Sequence, residues 1–118
     1  MGTRFIATTE SQADPEYKQM LVDSNAEDLL VSAGLTGTAA SWLKPSLRKV
    51  GIDPDNMPDA PTRHYDSNQS FAAKRWTDVW AAGQGLGCIH AVEPVQTVVD
   101  GLHRDYVAAL ARLRQRAP

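Results

Sequence analysis

Cysteine is nearly absent from this chain. A single residue, Cys88, leaves no internal disulfide and no cysteine-based metal cluster open. The compartment expected from that usage is a reducing cytoplasm. Excess positive charge is lacking too: 12 Lys and Arg stand against 14 Asp and Glu, a formal net charge of −2. A surface that grips nucleic acid is ordinarily basic, so that class of partner is disfavoured. No apolar run approaches the ~20 residues of a membrane span. No basic stretch followed by an apolar core marks a signal peptide at the N-terminus. The 118 residues that remain suffice for at most one domain. Folded compactly, such a chain buries roughly two-thirds of its unfolded surface.

What is present is helical at both ends and rich in turn residues between. Asp14-Pro15 reads as an N-cap followed by proline at the first helical position, where its missing N–H costs nothing. Tyr17, Met20 and Leu21 then share a face, which predicts a helix over about Asp14 to Ser24. Leu29-Leu30-Val31 is compatible with a strand or a buried turn. Trp42, Leu43, Leu47 and Val50 recur at helical spacing. Pro45 places the helix start near itself and Gly51 is positioned as a C-cap. From Ile52 to Ser70 prolines alternate with Asp and Asn, the chemistry of turns and surface loop. After Glu93-Pro94, the residues Val95, Val98, Val99, Leu102, Tyr106, Leu110 and Leu113 recur at steps of three and four. They predict a helix from about Pro94 to Arg114, with Arg112, Arg114 and Arg116 near the negative end of its dipole. Its apolar stripe is packing surface, and the shorter elements offer only part of the cover it needs.

Two segments carry candidate chemistry. Met1 to Ile6 reads as strand-compatible residues around Gly2 and Thr3. Such a turn either is an ordinary strand end or offers backbone N–H groups and a hydroxyl to an anion. Trp76 to Gly87 holds Gly83, Gly85 and Gly87 at every second position. That spacing suits amides lined up on a phosphate and equally suits a tight helix entry against neighbouring backbone. It is not the dinucleotide fingerprint, whose third glycine falls one residue later. Gln84, with a two-headed amide among the glycines, favours the ligand-facing reading. His64, His90 and His103 read as surface residues rather than bases.

Taken in order, these segments resemble a family. Met1-Gly2-Thr3-Arg4-Phe5 with Ala7-Thr8, Glu10-Ser11, Tyr17-Lys18-Gln19 and Glu27-Asp28 look like the C-terminal part of nitronate monooxygenases, also called 2-nitropropane dioxygenases. Leu35-Thr36-Gly37, Trp42 to Ser46, Gly51 to Asn56 and Trp80 to Gly87 continue the likeness over nearly the whole chain. It is shared more loosely with flavin-dependent enoyl reductases.

The resemblance implies a flavin mononucleotide (FMN) enzyme on a (β/α)8 barrel with a small helical domain. That enzyme oxidises alkyl nitronates with oxygen to carbonyl compounds and nitrite. It implies that Gly2 and Thr3 contact the FMN phosphate and that Gly83 and Gln84 lie near the cofactor. It divides the chain into a last barrel strand, phosphate turn and helix (1–26), a small-domain segment (27–74), and the glycine-rich turn with a helix returning to the barrel (75–118). A barrel needs about 250 residues, so the expectation is a fragment, mainly helical with few short strands. The family's catalytic histidine is missing from it, and no catalytic or metal-binding residue is assigned. The fragment would be inactive alone and partnered by the remainder of the barrel. The competing expectation is a small non-catalytic helical protein that self-associates or binds another chain.

Overall fold

A computed structural model describes residues 1–57, 59 and 77–116. Among the described residues, four helices and two strands follow one another: α1 (Gly2–Ile6), α2 (Pro15–Asp23), β1 (Leu29–Ser32), β2 (Ala40–Leu43), α3 (Lys44–Lys49) and α4 (Val95–Arg116). Short 3-10 turns lie at Ala26–Asp28 and Gln84–Cys88. The described residues are thus mainly helical with few short strands, as the expected fold class has it.

Local chemistry accounts for the element ends. The Asp14 carboxylate accepts from the Glu16 N–H at 2.7 Å, capping α2 where proline follows. Asn25 and Asp28 form a reciprocal capping box that opens the next turn. Pro45 sits in the first turn of α3, and Gly51 closes that helix at φ +78°, a conformation that L side chains rarely adopt.

One expectation fails. Met1 to Ile6 is not the barrel strand predicted for it but the helical turn α1, whose Arg4 N–H returns to the Met1 carbonyl at 3.1 Å. Among the described residues the one ladder is β1 with β2, so an extended Met1–Ile6 would leave its N–H and C=O groups unpaired. A helical turn lets the segment pair the Arg4 N–H with its own Met1 carbonyl. Extended pairing starts one step later: the Thr9 N–H donates to the Glu93 carbonyl at 3.1 Å, which ties the end of α1 to the start of α4. The loop expected over Ile52 to Ser70 lies mostly outside the described residues, as do His64 and Trp76.

β1 and β2 pair antiparallel from Leu29↔Leu43 to Ser32↔Ala40. Segment 80–82 joins β2 on its other edge: the Leu43 N–H donates to the Trp80 carbonyl at 2.8 Å and the Ala82 N–H to the Ser41 carbonyl at 3.1 Å. Because successive strand side chains face opposite ways, β2 sends Leu43 and Trp42 into separate cores. Leu43 packs with Ala7, Leu21, Trp80, Ala82, Leu86 and Ile89. Trp42 packs with Leu35, Leu47 and Val79. The glycine-rich segment is therefore built into the core through Trp80, Ala82 and Leu86, while Gly83 and Gln84 remain at the surface.

α4 differs from the rest. Val98 is buried, whereas Val99, Leu102, Tyr106, Val107 and Leu113 are exposed, Tyr106 and Leu113 each at 67%. No helix among the described residues is long and apolar enough to cross a membrane.

Candidate anion-binding rim

The two segments singled out by sequence meet. The Gly83 N–H donates to the Thr3 Oγ1 at 2.9 Å, across 80 residues of chain. Gly2 and Thr3 form the first turn of α1. N–H groups in a first turn have no carbonyl ahead of them within the helix. Having accepted from Gly83, the Thr3 hydroxyl keeps its own hydrogen for donation outward. Gln84 opens the following 3-10 turn with its side chain exposed. All four predicted residues, Gly2, Thr3, Gly83 and Gln84, thus lie along one rim between α1 and the glycine-rich turn.

The glycines differ in what they require. A Cβ at Gly83 would lie 3.3 Å from the Thr3 Oγ1, tighter than ordinary contact. At Gly2 a Cβ would meet nothing within 4 Å, and neither residue has positive φ. Close approach to another part of this chain explains glycine at 83 and does not explain it at 2.

The rim is held from behind. The buried Ser46 Oγ accepts from the Trp80 N–H at 3.0 Å and donates to the Leu43 carbonyl at 2.8 Å, so a polar group in the core is fully used. Tyr17 stacks on Trp80, with ring centroids 4.9 Å apart and planes at 13°, and its hydroxyl donates to the Ala81 carbonyl. Burial pushes the Tyr17 phenol above its ordinary pKa, keeping it a donor. Lys49 Nζ lies 5.0 Å from the Trp80 ring and also pairs with Glu16, drawing α2 and α3 together at this residue.

Charge near α1 is spoken for. Arg4 pairs with Glu93 and donates to the carbonyls of Ala7 at 3.1 Å and Ala91 at 3.3 Å. Glu10 accepts from the Val95 N–H at 3.0 Å and from the Thr9 hydroxyl at 2.8 Å. These bonds hold its carboxyl below the usual range, the Val95 amide contributing most. Among the described side chains and amides, what Gly2, Thr3, Gly83 and Gln84 offer an anion is therefore neutral donors. His90 and His103 are exposed, as expected, and neither adjoins these donors in sequence. Among the described residues no group of three or more His, Cys, Asp or Glu is placed to hold a metal ion.

No protein-family profile matches the chain. A nitronate monooxygenase of Paraburkholderia phytofirmans is 29% identical over 99% of this chain and 34% of its own length. A probable nitronate monooxygenase of Staphylococcus saprophyticus is 30% identical over 69% of this chain and 25% of its own length. The chain is similar to part of each of these two proteins. It spans about a third of the length of the first of these relatives and a quarter of the second. FabK from Thermotoga maritima and its M276A mutant share the fold, with TM-scores of 0.65 and 0.66 at 22% identity. Each covers 99% of this chain, which accounts for 39% and 36% of those proteins. The expected resemblance and the expected fragment-like fold class both stand on these matches.

Tyr17, Ser46 and Arg4 were missed as site-supporting residues. The sequence names Tyr17 as one member of an apolar helical face and of the Tyr17-Lys18-Gln19 motif, and Ser46 as the end of the Trp42 to Ser46 motif, with a site role for neither. Their partners lie 64 and 34 residues away, which no local spacing announces.

Proposed function

We propose that this chain is part of an FMN-dependent oxidoreductase that oxidises alkyl nitronates to carbonyl compounds and nitrite with oxygen. The hydrogen bond between Gly83 and Thr3 carries this reading, because it joins two segments that the family resemblance assigns separately to the cofactor. The residues present fit the phosphate end of FMN: Gly2 and Thr3 would offer N–H groups, Thr3 its hydroxyl hydrogen, and Gln84 its side-chain amide. Gly83 would orient the Thr3 hydroxyl. Bound flavin would supply the electron transfer to oxygen, and this chain's residues would hold and orient its phosphate. Residues 1–26 would carry the phosphate turn and the following helix, 27–74 would belong to the small domain, and 75–118 would bring the glycine-rich turn and a helix packing on the barrel, in a cytoplasmic protein.

The exposed face of α4 supports a partner. In the full fold that partner would be the remainder of the barrel. Co-expression with the remaining two-thirds of the Paraburkholderia relative tests the reading. A flavin-bearing complex that consumes oxygen with a nitronate is the expected result, and a complex without flavin overturns it.

A second reading, self-association of a non-catalytic helical protein, is favoured by one observation. Val95, Val99, Leu102, Tyr106, Ala109 and Leu113 alternate steps of four and three along α4, the seam of paired helices. Sedimentation of the chain alone distinguishes a monomer from a concentration-dependent dimer.

A further inference from the structure

We infer that Tyr17 is a positioning residue for the Gly83–Gln84 turn; the inference rests on reading that turn as part of the cofactor grip. The backbone reaching the turn is tied at successive residues. Trp80 is fixed by Ser46 and by the Tyr17 ring, and Ala82 by the Ser41 carbonyl at 3.1 Å. The peptide between Ala81 and Ala82 is held at both ends, its N–H by the Ser41 carbonyl and its carbonyl by the Tyr17 hydroxyl, which donates to it. A peptide is a rigid plane, so fixing its carbonyl fixes the direction in which the chain leaves it. Beyond Ala82 comes Gly83, whose missing side chain makes it the least restrained residue of the path. Its N–H reaches the Thr3 hydroxyl only while that direction is kept. Tyr17 therefore acts on the rim through two intervening residues, touching neither Thr3 nor Gln84.

Phenylalanine at position 17 would keep the ring stacked on Trp80 and delete only the donor, which separates positioning from core packing. Amide hydrogen exchange measured by NMR on the isotopically labelled chain reads the effect directly. Thr3→Val removes the Gly83 acceptor and sets the released exchange rate for that amide. Tyr17→Phe should move Gly83 toward this limit by about five- to tenfold, the worth of one neutral hydrogen bond. Amides within α2 and α3, such as Leu21 and Leu47, should keep the parent rate. An unchanged Gly83 overturns the inference. So does acceleration of Leu21 and Leu47 along with Gly83, since Tyr17 would then be a core residue and nothing more. FMN retention by the co-expressed complex, with Tyr17→Phe beside the parent, separates the inference from the reading beneath it. Retention in the parent, weakened in Tyr17→Phe, supports both. If the parent complex carries no flavin, the cofactor reading falls, and the exchange comparison on the labelled chain still decides for or against Tyr17.

Discussion

Tyr17 and Glu10 carry opposite pH signatures, and each has a single dominant cause. Burial favours the neutral Tyr17 phenol in the folded chain. Its contribution to stability is present in full below the ordinary tyrosine value of about 10 and is lost as pH rises through the raised folded value. Absorbance titration of the phenolate should show a component ionising above the ordinary tyrosine value, and Tyr17→Phe should remove that late component. Glu10 behaves the other way. Its carboxylate is held low by the Val95 amide, so its contribution is present above the ordinary carboxylate range and lost as pH falls through the depressed value. In Glu10→Gln the acid side of the stability profile should flatten, read from thermal unfolding between neutral and acid pH. The glycines make a third contrast. Gly83→Ala pushes a methyl group against the Thr3 Oγ1 and should cost about 1 kcal/mol through the strained or lost hydrogen bond. Gly2→Ala should stay within about 0.5 kcal/mol of the parent in urea unfolding, because nothing opposes the added carbon.

At the scale of elements, α4 holds a weakness that can be repaired. Gly101 sits inside a helix of 22 residues without positive φ. A Cβ there would meet the Arg104 guanidinium at 3.6 Å, an ordinary contact. Gly101→Ala should therefore stabilise the chain by about 0.5–1 kcal/mol, seen as a higher melting temperature with the same far-ultraviolet circular dichroism. The boundaries that sequence foretold are those set by local chemistry: Asp14 before Pro15, Pro45 in a first turn, Gly51 at positive φ, and the long periodic run of α4. The boundary it missed, at Met1 to Ile6, depends on partners. Thr3, Arg4, Phe5 and Ile6 suit a strand by residue type, and no neighbouring strand is there to accept them among the described residues. The same division runs through the candidate rim. Gly2, Thr3, Gly83 and Gln84 were legible as residue types near glycines, whereas the bond from Gly83 to Thr3 and the restraint from Tyr17 arise from contacts 80 and 64 residues apart. Periodicity and spacing describe a chain along its length, and these contacts exist only across it.

For the molecule as a whole, the open question is what its apolar face on α4 meets and whether its rim suffices for flavin. On the proposed reading, a phosphate grip of neutral donors would orient one end of FMN and the described residues would leave the ring system without walls, so most of the contact surface that gives a cofactor site its affinity would be lacking. The chain alone should purify without flavin absorbance and should not consume oxygen when given a nitronate. A preparation carrying near one FMN per chain would show that this third of the fold encloses the cofactor by itself, against the proposed division of labour. The face of α4 gives the complementary prediction. Leu102→Gln with Tyr106→Gln changes two residues that are exposed, at 37% and 67%, so folding of the chain should be nearly unaffected. If that face meets the remainder of a nitronate monooxygenase fold, the double variant should weaken capture of the co-expressed partner by at least tenfold, since each side chain would lose roughly 1.5 kcal/mol or more of apolar burial. It should leave the sedimentation of the isolated chain unchanged. Should the substitution instead convert a dimer of the isolated chain into a monomer, with partner capture untouched, the face belongs to self-association and α4 is not the element through which this segment joins the rest of the fold.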